Sequence, residues 1–239
     1  MSDQHEQSPS RRRLIKSFAV IPIAVAGGAA AVRAVQQPAA AAEASSNPYQ
    51  PTFFNANEWA FIAAACDRLI PHDEHGPGAV ELGVPEFLDR HMQTPYAAGD
   101  IWYMQGPFLE ATPNFGYQGK LSLRDILRVG MKAIDAHCVA QFGGKRFAQL
   151  TLAQQTALLK AAEGGKLKVE GISAKLFFAN FLGEVRNGYF GDPKHGGNKG
   201  MGSWKMIGYP GMRADYTDWV EVRDKPYSIG PVDLAGRRG

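Results

Sequence analysis

His72-Asp73-Glu74-His75 sets two imidazoles three positions apart with two carboxylates between them, a donor set able to hold a divalent metal. The tetrapeptide lies between Pro71 and Gly76-Pro77-Gly78, where polar side chains also serve as solvated turn formers, and no third or fourth ligand is evident. It is read as a structural loop, with His72 and His75 as the weak metal candidates. His137 stands beside Cys138, but adjacent helical positions point about 100° apart, so the two make no nucleophile–base pair. In Asp192-Pro193-Lys194-His195-Gly196-Gly197-Asn198, proline and paired glycines set an irregular loop that would present His195 and Asn198, a contact or catalytic-support element.

Several cofactor chemistries lack their residues. Covalent haem needs Cys-x-x-Cys-His, and an iron–sulfur cluster about four thiolates; the chain has only Cys66 and Cys138. Gly200-Met201-Gly202 lacks the third glycine and the preceding strand of a dinucleotide fingerprint. Neither a phosphate-cradling Gly-x4-Gly-Lys-Ser/Thr nor a Gly-x-Ser-x-Gly nucleophile turn is present.

The elements available to position these residues have helical periodicity. Asn55 with Glu58 forms a capping-box pattern, followed by Trp59, Ile62, Cys66 and Leu69 on one face, and Pro71 closes the element. A short helix starts near Pro85 and buries Phe87, Leu88 and Met92. Ser122 and Asp125 open the longest helix, whose face is Leu127, Met131, Ile134 and Cys138 and which Gly143-Gly144 stops. Thr151 with Gln154 caps a fourth, with Leu158 and Leu159 inward. Ser173 begins a fifth, with Leu176, Phe177, Phe181 and Val185 facing a core and an end near Gly188. The expected fold is all-α: a small irregular domain of about five helices with long Gly/Pro/aromatic-rich loops. An extended C-terminal segment follows from about residue 188.

Residues 94–119 and the stretch from Gly188 onward are dense in glycine, proline and aromatic rings. They are too long for ordinary connections and too aromatic for solvated disorder. Such segments either wrap a partner, where buried rings dominate interface energetics, or fold back over their own helices.

At the other end of the chain, Ser10-Arg11-Arg12-Arg13-Leu14-Ile15-Lys16 satisfies every position of a twin-arginine export signal, with Arg11 and Arg12 as its paired arginines. An apolar run, Phe18 to Val32, follows; at about 15 residues it is shorter than the roughly 20 that a membrane-spanning helix needs. Small residues around Ala40-Ala41-Ala42 suit a signal peptidase, so residues 1–42 are expected to be a signal peptide cut at about 34–44, ahead of one domain over 43–239. That leader holds five of the 26 basic and two of the 23 acidic residues, which leaves 21 of each and a formally neutral body. The net charge of +3 thus belongs to the targeting signal and gives no ground for nucleic-acid binding.

Taken in order, several segments resemble one family. These are Cys66-Asp67-Arg68-Leu69-Ile70-Pro71 running into Gly76-Pro77-Gly78-Ala79, Phe87-Leu88-Asp89, Phe177-Phe178, Gly188-Tyr189-Phe190, Asp192-Pro193 through Asn198, and Trp204-Lys205-Met206-Ile207-Gly208-Tyr209-Pro210-Gly211. With the leader, they are similar to the gluconate 2-dehydrogenase subunit 3 family, the small (gamma) subunits of membrane-bound flavin-dependent sugar and sugar-acid dehydrogenases. The resemblance covers about Phe53 to Gly211. It implies a non-catalytic accessory subunit without a cofactor of its own. Its partners would be an FAD-containing large subunit of the glucose–methanol–choline type and a multihaem cytochrome c subunit carrying haem c. It implies export through the twin-arginine translocase into the periplasm, and membrane association through the complex only. The small subunit would supply the export signal and a docking surface, expected chiefly over Asp192 to Gly211, with His195, Gly196, Gly197, Asn198, Trp204 and Tyr209 at the interface. Cys66, on its helix stripe, is expected to be a buried, inert thiol, and for Cys138 a bond to the large subunit, a bond to Cys66 or no pairing at all stays open. The rival classes are a self-contained periplasmic metalloenzyme built on His72 and His75, and a lone exported binding protein.

Overall fold

The computed structural model describes residues 49–109, 112–225 and 227–239. The twin-arginine motif, the apolar run and the cleavage region lie outside the described residues. Seven α-helices are present among them: α1 (Ala56–Leu69), α2 (Val84–His91), α3 (Pro95–Ala98), α4 (Leu123–Gln141), α5 (Leu152–Glu163), α6 (Ala174–Phe190) and α7 (Gly202–Ile207). No strand occurs among the described residues, only isolated bridges. The all-α expectation holds. Five helices match the periodic segments, and α3 and α7 are additional short ones.

Local chemistry starts most of these helices. Asn55 Oδ1 accepts from the Asn57 and Glu58 amides while Glu58 Oε2 accepts from the Asn55 amide, a complete capping box. Thr151 and Gln154 repeat that arrangement at α5. Ser122 differs: its hydroxyl donates to Asp125 Oδ2 at 2.6 Å and caps no backbone amide.

α6 is the central element, packed against α2, α4, α5 and α7. It buries Phe177, Phe181, Val185 and Tyr189, and the Phe61 ring of α1 meets Phe147 at 4.5 Å and Phe177 at 6.0 Å. Two helical glycines allow this density. A Cβ on Gly130 of α4 would lie 2.1 Å from the Phe177 ring, and one on Gly188 of α6 would lie 2.6 Å from the Phe87 ring of α2. The expected end near Gly188 agrees with the observed one at Phe190.

Asp89 of α2, with no exposed surface, ties the chain ahead of α1 to the core. Its carboxylate accepts from the amides of Thr52, Phe53 and Phe54 and from the hydroxyls of Tyr49 and Thr52, at 2.8–3.1 Å. Burial pushes this carboxyl up, but the donors outweigh it and hold Asp89 below its ordinary value. A group with a depressed folded-state pKa adds stability above its unfolded value and loses it as pH falls through the folded one. Asp89→Ala is expected to destabilise the protein by about 3 kcal/mol, since it strands buried donors. The wild type should lose this contribution on acidification below about pH 4, whereas Asp89→Asn should flatten that part of the curve; thermal melts across pH check both.

Candidate functional site

The residues singled out by sequence do not converge. His72 Nδ1 meets Glu81 Oε2 at 2.8 Å, His75 Nε2 lies 3.8 Å from Glu74, and both imidazoles are largely exposed. Among the described residues, no group of three or more His, Cys, Asp and Glu side chains is arranged to hold a metal.

Cys66 and Cys138 are free and fully buried. Cys66 is the buried thiol its place on the α1 stripe predicts, the two thiols do not bond each other, and Cys138 lies on the core face of α4. Burial, with Asp135 nearby, pushes the Cys138 thiol up to about 12, and burial raises Cys66 further.

The segment over Asp192–Gly211 is divided: four of the six residues expected at an interface, Gly196, Gly197, Asn198 and Trp204, are buried, while Met206, Ile207 and Tyr209 are exposed. Trp204 is 4 % exposed and its indole N–H donates to the Phe190 carbonyl at 2.7 Å. Asn198 is buried in the left-handed region with φ 44°; its amide donates to the Gly191 carbonyl, and its Oδ1 accepts from the Ser203 amide. Gly196 and Gly197 are buried as well; a Cβ on Gly197 would meet the Gly188 carbonyl at 2.1 Å. His195 and Tyr209 alone of the six stay exposed. The loop seats α7 on α6 and holds the tail, for Asp192 Oδ2 accepts from the Leu234 amide at 2.8 Å.

A cavity of about 620 Å³ lies elsewhere, between α3, the loop that follows it, α4 and α6. Tyr96, Trp102, Tyr103, Phe108 and Tyr117 wall it, and Asn180 and Glu184 of α6 reach it from the core side. Glu184 is 5 % exposed. Its Oε1 accepts from Asn187 Nδ2 at 3.2 Å, and its Oε2 is buried without a hydrogen bond. That oxygen sits 3.3 Å from His91 Nε2 of α2. The distance is that of an ion pair, yet burial disfavours charge on both groups. It raises the Glu184 carboxyl, and, with His195 nearby, lowers the His91 imidazole. The two therefore meet with the ionic form opposed by desolvation. Rings continue outward from His91: Phe87 stacks on it at 5.2 Å, Tyr96 lies at 5.4 Å, and Trp102 meets Tyr96 edge-on at 5.6 Å.

Glu184 and His91 were missed by sequence reasoning because 93 positions separate them. The available signal was Asn180, Glu184 and Asn187, polar residues at i, i+4 and i+7 on a helix otherwise rich in apolar side chains.

A small helical body with an aromatic, acid-floored cavity is thus the setting for the comparison with known proteins. The chain matches the family described as Gluconate 2-dehydrogenase subunit 3 over residues 56–211 and belongs to that family. Neither the curated proteins nor the solved structures give a significant match. The family takes its name from a subunit of a dehydrogenase complex, so membership implies partner subunits.

Two outcomes follow for the relocated residues. Trp204→Ala should lower stability by about 3–5 kcal/mol, as for a buried aromatic, measured by chemical denaturation of the isolated chain. Native Cys66 and Cys138 should resist thiol reagents at pH 8 and react only on unfolding, as counted by mass spectrometry.

Proposed function

We propose that this chain is the non-catalytic accessory (gamma) subunit of a periplasmic, membrane-associated flavoprotein–cytochrome c dehydrogenase complex that oxidises a sugar or sugar acid. It supplies the twin-arginine export signal and docks the FAD-containing large subunit, and a multihaem cytochrome c subunit links the complex to the membrane. Family membership supports the place in a complex, and the complete Ser10–Lys16 motif supports the route of export. No helix among the described residues is long and apolar enough to cross a membrane, which accords with attachment through another subunit.

The observation that carries the docking role is the loop after α3. Within it Tyr103 is 83 % exposed, Leu109 72 % and Phe115 71 %, with Ile101 and Trp102 also more than half exposed. So many large apolar side chains on one loop exceed what an isolated surface presents, and such patches mark protein interfaces. Burial of these rings against the flavoprotein would supply the anchoring that Trp204 cannot.

Replacing Arg11 and Arg12 together with Lys should leave both this chain and its flavoprotein in the cytoplasm; a flavoprotein that still crosses would end the shared-export reading. Tyr103→Ala with Phe115→Ala should weaken co-purification of the flavoprotein by about thirty-fold or more, the scale of one lost aromatic anchor, with the helical content of the subunit unchanged.

A further inference from the structure

We infer that the cavity over Glu184 is a socket for an arginine side chain of the flavoprotein partner. This rests on the docking role proposed above and identifies what that surface grips. Three observations carry it. Glu184 is the sole ionisable acid in the lining, and no lysine or arginine lines the cavity. Its Oε2 is buried without a hydrogen bond, with His91 Nε2 3.3 Å away as its neighbour. The walls above it are Trp102, Tyr103, Phe108 and Tyr117, rings whose faces attract a cation.

The guanidinium is the cation that fits this combination. It is planar and so stacks between rings, is more weakly hydrated than an ammonium, and presents a fork of N–H donors. Its charge would be set against the Glu184 carboxylate, and its donors have the side-chain carbonyls of the lining Asn180 and Gln118 within the same cavity. The cavity lies beneath the exposed loop, so an arginine entering it would be flanked by the partner's apolar residues on Tyr103 and Leu109. At about 620 Å³ the space is in the range that holds a ligand-sized group and not water alone. Burial of the pair then sets a cation against the buried carboxylate and between the aromatic walls.

The test uses the intact complex and the full mature chain. Glu184→Gln, which keeps size and shape, should weaken assembly with the flavoprotein by about thirty-fold or more, while the subunit alone keeps its helicity and melting temperature. In parallel, N-acetyl-arginine methylamide added to the isolated chain should perturb Trp102 fluorescence, and the neutral citrulline analogue should not. Should Glu184→Gln assemble like wild type while Tyr103→Ala with Phe115→Ala does not, docking stands and the arginine socket is overturned. Loss of assembly in neither variant overturns the docking reading itself. A response to the arginine probe with unimpaired assembly of Glu184→Gln would make the cavity a site for a small free cation, which also overturns the socket. Should Glu184→Gln fail to fold, the fluorescence comparison decides alone, and equal responses to arginine and citrulline analogues refute the proposal.

Discussion

Helix α6 can be packed on all sides only because two neighbouring surfaces lack a side chain. Gly130 admits the Phe177 ring and Gly188 receives the Phe87 ring, each at a distance that a Cβ would close. From that close approach follow the burial of Phe181, Val185 and Tyr189, the seating of α7, and the position of Glu184. A carboxylate would not ordinarily lie so deep. It is carried there because its helix is held by apolar contacts on its other faces, and those contacts outweigh the desolvation of one acid.

The same packing divides the surface into two kinds of loop. The segment from Asp192 to Gly211 turns part of itself inward: Asn198 and Trp204 donate to carbonyls at the C-terminal end of α6, and Asp192 and the Pro210 carbonyl hold the returning tail by accepting from the Leu234 and Val232 amides. The loop after α3 makes few such bonds and leaves its rings outward. Similar compositions thus take opposite places, one partly covering the protein's own helix and the other left exposed.

Helix starts were legible because a cap is a local event. Asn55 with Glu58 and Thr151 with Gln154 place donor and acceptor three residues apart, and the apolar stripes of α4 and α5 face the core as their spacing requires. In α1, Ile62 and Cys66 do so, while Trp59 and Leu69 stay half-buried and Phe61 and Ala65 fill the core. What was not legible depends on residues far apart in the chain. Trp204 reads as an exposed anchor in a glycine-rich stretch, and only the left-handed turns at Asn198 and Met201 aim α7 back onto α6. The ring that fills the space at Gly188, Phe87, belongs to another helix. His91 and Glu184 are ordinary surface-type residues in their own segments and meet only when α2 crosses α6. The weight given to His72 and His75 rested on spacing, and each imidazole instead finds a separate carboxylate in solvent.

The central claim is that this subunit grips its partner through the loop after α3 and not through the Asp192–Gly211 segment. Hydrogen–deuterium exchange of the isolated chain and of the assembled complex separates the two directly. The account predicts that peptides over residues 99–122 gain strong protection on assembly, while those over 192–204, already slow in the isolated chain, change little. Protection gained over 192–211 with residues 99–122 unchanged would contradict it.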